Sequence, residues 1–140
     1  MNNNFFLLRQ KILYLFNAKN GFSIHSPFVF TFYTSVIKRK KYIKSLKKEQ
    51  LIENIFSFSE NFRTVNINIK TQSDLILQTI QKPYTIIILN DIHSDKTSYN
   101  TWKNLLNSKG NFISIDFFHS GVLINNPDIK KKQHFILKNG

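Results

Sequence analysis

The stretch that decides the fold of this chain is YTIIILNDIHSDKTSYNTWKNLL, residues 84–106. The run Ile86–Leu89 holds four consecutive aliphatic residues, most of them β-branched. Such a run is typical of a strand buried on both faces inside a parallel sheet. The polar segment NDIHSD follows at once. Ligands of open α/β sheets bind just beyond the carboxyl ends of the strands, so we take Asn90, Asp91, His93 and Asp95 as candidate site residues.

The residues before this strand predict a βαβ unit. Apolar and polar residues alternate from Val65 to Ile69, which indicates a strand. A short helix is predicted next, with Thr71 as its N-cap and apolar residues at helical spacing. Strand, helix and the strand at Thr85–Leu89 should then cross over right-handed, which makes the two strands parallel.

The residues after the NDIHSD segment predict one more helix and an antiparallel hairpin. The helix contains Trp102 and is predicted to end at Gly110. The pattern NFISIDFF, HSG, VLINN predicts two strands joined by a three-residue turn that carries Gly121. A lysine-rich loop separates this hairpin from a last short strand, QHFILK.

The N-terminal part is predicted to be helical, so residues 1–62 and 63–140 form the helical part and the α/β part of a single domain. The first helix, residues 4–18, has an apolar stripe that we expect to pack on the domain, with a membrane-surface helix as the alternative. Ser26 and Pro27 predict the start of a second helix, and a third is predicted to include the basic run of residues 38–48 and to continue to Phe56, with one lysine-rich face toward solvent. The stripe consists of Phe5, Leu8, Ile12, Leu15 and Phe16.

Composition limits the classes of function. The net charge of +12 allows nucleic-acid binding through Lys38–Lys48 and Lys130–Lys132. However, 17 of the 20 basic residues are lysines, and arginine is the better bidentate ligand for phosphate. No apolar run is long enough to span a membrane, and no cysteine is present. We therefore expect a cytoplasmic location without disulfides.

Three segments carry a resemblance to a known family. AKNGFSIHSPFVF near the N-terminus resembles the N-terminal signature of a bacterial family of class I S-adenosylmethionine-dependent methyltransferases. IIILNDIHSDKTSYNTWKNLL, and then FISIDFFHSGVLINN to KKQHFIL, resemble the last part of the same family. In that family the corresponding run is a strand ending in Asp-Asp-Ile-His, a helix with a central Trp and a terminal antiparallel hairpin. The resemblance implies an α/β fold with a truncated Rossmann-like methyltransferase sheet.

The chain departs from the family in two places. The family binds its cofactor at an acidic, glycine-rich loop, but this chain has no glycine between Gly21 and Gly110. In addition, Asn90 replaces the first acidic residue of the Asp-Asp-Ile-His motif. Only Asp91 and His93 therefore match the motif. The resemblance implies that they would help to position the methyl acceptor or a metal ion.

These departures predict a shortened methyltransferase-like protein that is catalytically inactive and needs no cofactor. Its work would be protein interaction or self-association, because missing central strands leave a sheet edge that needs cover. The alternative is an active methyltransferase that uses S-adenosylmethionine in an incomplete or partner-completed pocket. A metal site at Asp91, His93 and Asp95 is disfavoured, since Ser94 or Asp95 is a good N-cap for the next helix.

Overall fold

The computed structural model describes residues 3–19, 24–37, 47–58 and 61–139. Five α-helices and five β-strands occur in this part of the chain. The helices are α1 (Asn3–Asn17), α2 (Pro27–Ile37), α3 (Lys48–Phe58), α4 (Ser73–Ile80) and α5 (Lys96–Leu106). The strands are β1 (Arg63–Asn68), β2 (Thr85–Asn90), β3 (Ile113–Asp116), β4 (Ser120–Asn125) and β5 (Gln133–Ile136).

The strands form one mixed sheet in the order β1-β2-β4-β3-β5. β1 and β2 are parallel and joined through α4, so the predicted βαβ unit is confirmed. The predicted hairpin of β3 and β4 is confirmed as well, and β4 pairs antiparallel with β2. β5 adds a second parallel pairing, along β3. The described residues therefore have an α/β fold with a partly parallel sheet.

Strand β2 is buried on both faces, as its sequence predicts. Successive side chains of a strand point to opposite faces of the sheet. Accordingly, Ile86 and Ile88 belong to the core on one face, with residues of α2 and α3, while Ile87 and Leu89 belong to the core on the other face, with α4 and α5. The sheet thus lies between two helical layers. The loop that follows β2 leads from the end of this central strand into α5.

The start of α2 follows its predicted cap. Pro27 is the first helical residue, and the backbone N–H of Val29 donates to Ser26 Oγ at 3.4 Å. The third helix begins at Lys48, and Lys47 before it is not helical, so the prediction that this helix includes the basic run is wrong at Lys47. Residues 38–46 of that run lie outside the described part of the chain.

Two predicted helix boundaries are wrong, and local hydrogen bonds give the reason. The N-cap of α4 is Gln72 rather than Thr71, because the Thr71 N–H closes a turn on the Asn68 carbonyl at 3.0 Å. Helix α5 ends at Leu106, well before Gly110. Ser108 Oγ donates to the Leu105 carbonyl at 2.6 Å, and this bond satisfies a terminal acceptor of the helix without glycine.

Gly121 lies inside β4, opposite Asp116, so the prediction that it belongs to the hairpin turn is wrong. The loop consists of residues 117–119. A Cβ atom at Gly121 would lie 2.6 Å from the Trp102 ring and 3.1 Å from Ile92 Cδ1. The glycine is therefore required by close packing of α5 on the sheet.

Helix α1 forms as predicted, but the prediction that its apolar stripe packs on the domain is wrong. The helix packs through Tyr14, with Ala18 just beyond its C-terminal end, and with Gln10 also buried. Tyr14 Oη donates to the Leu137 carbonyl at 2.6 Å, which fixes the rotation of the helix about its axis. The predicted stripe is exposed: Phe5, Leu8, Ile12, Leu15 and Phe16. No helix in the described residues is long and apolar enough to cross a membrane.

Candidate functional site

The candidate site lies in the loop that follows β2, next to the β3–β4 hairpin. Asp91 has a φ of 65° and Phe118 a φ of 75°, both in the left-handed region. Aspartate tolerates this region, but a bulky aromatic residue is rarely found there. The Asp91 N–H donates to the His119 carbonyl at 2.9 Å, which ties the two strained loops together.

His93 is buried beneath these loops and is hydrogen-bonded through both ring nitrogens. Its exposed fraction is 6%. Nε2 lies 2.6 Å from Asp116 Oδ2, and Nδ1 lies 2.6 Å from Gln10 Oε1. Each ring nitrogen therefore has a side-chain partner within hydrogen-bond distance. His93 therefore links α1 to the end of β3.

Two aromatic rings hold the imidazole from both sides. The Tyr99 ring lies 5.1 Å from the His93 ring, centre to centre, with an interplanar angle of 26°. The centre of the Phe118 ring lies 5.0 Å from that of the His93 ring, with an interplanar angle of 13°. The left-handed backbone at Phe118 places that ring over the imidazole. Stacking and hydrogen bonding together leave the His93 ring a single orientation.

Asp116 is the central acceptor of the site, and sequence reasoning missed it. It is 4% exposed, at the end of β3. Its Oδ2 faces His93, while Oδ1 accepts from the Phe118 N–H at 2.8 Å. The signal was a lone carboxylate inside the apolar run FISIDFF, since a buried Asp almost always has a partner. Gln10, within an apolar helix, gave a weaker signal of the same kind.

Asp91 and His93 share a loop, but their side chains do not meet. The Asp91 side chain is 47% exposed and forms an ion pair with Lys48, with Nζ 3.1 Å from Oδ1. His93 points inward to Asp116 instead. The structure thus brings His93 together with Asp116 and Gln10, and Asp91 with the first turn of α3.

An open cleft of about 440 Å³ separates α1 from these loops. Its surroundings are basic. Lys11 Nζ lies 4.5 Å from the centre of the Phe118 ring, a cation–π contact. Partial burial, and then the charges of Lys11 and Lys48, lower the pKa of His119 below its ordinary value. The walls of the cleft include Leu7, Leu8, Lys11, Asp91, His93 and Phe118.

Asp95 caps α5, as expected for one of the two N-cap candidates. The Ser98 N–H donates to Asp95 Oδ1 at 2.7 Å, and this bond lowers the pKa of the carboxyl group. Lys70 Nζ lies 3.7 Å from the other oxygen. Asp91, His93 and Asp95 thus turn to three different partners. Within the described residues no group of three metal-ligating side chains comes together.

The carboxyl ends of β1 and β2 face two clefts: Asp91 lies on the one between α1 and the loops, and the other lacks a carboxylate for S-adenosylmethionine. A second cleft, of about 430 Å³, lies there between the first turns of α4 and α5. The residues that line it in the described part of the chain include Lys70 but no carboxylate to accept from ribose hydroxyls. Asp95, which lies nearby, is already held by Ser98 and Lys70. No step of methyl transfer follows from this donor set.

The lysines considered for nucleic-acid binding are only partly in the described structure. Residues 38–46 lie outside it. Lys48 pairs with Asp91, and Lys132 Nζ donates to the Ser108 carbonyl. Lys130 and Lys131 are exposed. Two of the lysines therefore make internal contacts instead of presenting free charge to phosphates.

Comparison with known proteins assigns no family to this geometry. The chain matches none of the family models, none of the curated proteins and none of the solved structures with which it was compared.

Proposed function

We propose that this chain is a shortened, catalytically inactive relative of class I methyltransferases that works as a protein-interaction module. The state of His93 carries the proposal. Both of its ring nitrogens are engaged at 2.6 Å, and the ring is 6% exposed between two aromatic rings. A general base needs a nitrogen within reach of the substrate proton. The His93 ring offers none, so its role is to join α1 to β3.

The order of elements supports the relationship to methyltransferases. β2 ends in the Asn-Asp-Ile-His segment, α5 carries Trp102 on its buried side, and the β3–β4 hairpin follows. These are the parts that the resemblance leads us to expect, in the expected sequence. The second strand of the hairpin pairs with β2, and β3 and then β5 follow on that side of the sheet.

The loss of the cofactor site supports inactivity. Without glycine between Gly21 and Gly110, the chain has no turn in which the backbone approaches a nucleoside as closely as a glycine-rich loop allows. The cleft beyond β1 and β2 adds no free carboxylate in the described residues. We therefore propose that no S-adenosylmethionine is bound.

The free edge of the sheet supports an interaction role. β1 is the first strand in the order and pairs only with β2 among the described strands. The Arg63 N–H donates to the Tyr84 carbonyl just before β2, and the Ile69 N–H donates to the Asn90 carbonyl at its end. The alternation along β1 therefore directs the N–H of Asn66 away from β2. Such an edge can add a strand from a second copy or from another protein. We place the protein in the cytoplasm, which suits a chain without cysteine.

Calorimetric titration with S-adenosylmethionine tests the inactive state. We expect no saturable heat at micromolar protein, with S-adenosylhomocysteine as a second ligand and Trp102 emission as the check of folding. Saturable binding in the micromolar range refutes the proposal. Sedimentation of wild type and Asn66→Pro tests the edge, because proline removes the outward N–H. Identical complexes in both would exclude β1 as the contact.

A further inference from the structure

Helix α1 turns an almost entirely apolar face to solvent. Successive residues of a helix are about 100° apart, which places Phe5, Ile12 and Phe16 within about 40° of one another around the axis. Phe16 is 84% exposed and Phe5 is 62% exposed. Leu8, Leu13 and Leu15 extend the same face.

This face is as large as a typical interaction surface of a small protein. Six large apolar side chains present on the order of 500 Å² together, and the largest patch of an ordinary monomer is often a functional one at that size. Phe5 and Phe16 are eleven residues apart in sequence, or about 16 Å along the axis. Both protrude, so the surface is convex and gives a partner no groove to fill.

The charged residues of α1 and of its C-terminal end are basic: residues 1–19 contain Arg9, Lys11 and Lys19 but no Asp or Glu. Asp91 lies on the cleft that Leu8 lines, and it is paired with Lys48. Arg9 is exposed within the apolar face, and Lys19 is exposed just beyond the end of α1. Lys138, also exposed, donates its backbone N–H to the Lys19 carbonyl, so a second cation lies beside the first. Basic charge bordering an apolar face is the pattern of helices that lie on anionic lipid.

A second copy of the chain does not suit this face. Two copies meeting through α1 would bring Arg9 and Lys19 of each against a helix without a carboxylate. Each copy also carries a net charge of +12. A bilayer with acidic headgroups supplies what is missing, since acyl chains accept protruding phenyl rings and phosphates accept the arginine.

We propose that α1 lies flat on an anionic lipid surface, with Phe5, Ile12 and Phe16 in the interface and Arg9 at the level of the phosphates. The protein is then peripheral, held by one face of one helix without spanning the bilayer. The inference stands on the contacts and charges of α1 alone. It holds whether or not the chain binds S-adenosylmethionine.

Co-sedimentation with vesicles tests this inference. The wild-type chain should bind vesicles of equal parts phosphatidylcholine and phosphatidylserine, and bind pure phosphatidylcholine at least tenfold more weakly. Phe5→Ser with Phe16→Ser should lower binding to the mixed vesicles at least tenfold, although the net charge is unchanged. The matched control, Phe30→Ser with Leu75→Ser, removes two exposed apolar side chains from α2 and α4 and should bind like wild type.

The absence of cysteine allows a second readout on the same vesicles. An environment-sensitive dye on Phe16→Cys should shift to the blue on mixed vesicles, whereas a dye on Phe30→Cys should not. The inference is overturned if the wild type fails to bind, or if Phe5→Ser with Phe16→Ser binds unchanged, since that would be adsorption by charge alone. A dimer that this double variant dissociates, without vesicle binding, would overturn it in favour of a second copy.

Discussion

Replacement of His93 by leucine should destabilise the protein strongly, because it leaves Asp116 buried without its main partner. The carboxylate is 4% exposed and would keep only the Phe118 N–H, at 2.8 Å. Leaving a buried carboxylate without its hydrogen-bonded partner costs about 3–5 kcal/mol. A domain of this kind has a free energy of unfolding of roughly 5–15 kcal/mol in total. His93→Leu should therefore fold, with a much lower midpoint of urea unfolding.

The same substitution should cost less in the Asp116→Asn background. Asparagine keeps the shape and can still accept from the Phe118 N–H, but it carries no charge to be stranded. There, His93→Leu should cost about 1–3 kcal/mol, the penalty for an unsatisfied neutral polar group. The difference between the two backgrounds measures the coupling of the pair.

Urea unfolding followed by the fluorescence of Trp102 measures all four proteins of this cycle. Trp102 is the sole tryptophan of the chain and is 1% exposed, so its emission reports loss of the core. A cost below about 1 kcal/mol for His93→Leu, smaller than the range for a broken buried pair, would refute the reasoning. Equal costs in both backgrounds would also refute it, because the two side chains would then be energetically independent.

Three further predictions concern the packing of α5 and α1, each measured by urea unfolding. Gly121→Ala should cost at least about 2 kcal/mol, because its Cβ would lie 2.6 Å from the Trp102 ring. Asp95→Ala should cost about 1 kcal/mol by removing the N-cap of α5, whereas Asp95→Asn should cost little, since asparagine caps equally well. Burial of the Tyr14 hydroxyl, and then the charge of Asp116, raise its pKa above the ordinary 10.0. A raised folded-state pKa gives stability that is complete below pH 10.0 and lost as the pH rises above it, so Tyr14→Phe should flatten this alkaline loss.

Each of these has a contrary result. An alanine at position 121 without loss of stability would mean that α5 does not pack as closely as described. Equal losses for the two Asp95 variants would assign the effect to the charge and its ion pair with Lys70. An unchanged slope above pH 10.0 in Tyr14→Phe would show that other groups cause the alkaline loss.

The βαβ unit and the hairpin could be predicted from the sequence because their signals are local, whereas the pairings of β2 with β4 and of β3 with β5 have no local signal. A strand of four consecutive aliphatic residues has apolar side chains on both faces of the sheet, so both faces must be covered. The βαβ connection then makes β1 and β2 parallel. Helix boundaries were less accurate, since Thr71 and Ser108 make short-range hydrogen bonds that periodicity does not reveal. The sequence pattern predicts a turn at Gly121, because the residue that requires a glycine there, Trp102, is nineteen residues away in sequence.

The candidate site was only half predictable. The loop after β2 was found by the general rule for α/β sheets, and His93 lies there. Its partners are distant in sequence: Gln10 lies 83 residues before it, and Asp116 lies 23 residues after it. A long-range hydrogen bond has no periodic signature. The available clues are a carboxylate within an apolar strand and, more weakly, Gln10 within an apolar helix.

The polar contacts of His93 also explain why the apolar face of α1 is exposed. Apolar contacts are not directional, so hydrophobicity alone would favour rotating α1 until Phe5, Ile12 and Phe16 reached the core. Hydrogen bonds have preferred geometries and prevent that rotation. Gln10 holds one turn of the helix to His93, and Tyr14 holds the next turn to Leu137. The Gln10–His93 hydrogen bond, which occupies one nitrogen of His93, therefore also helps to keep the apolar face of α1, the proposed lipid-binding face, turned toward solvent.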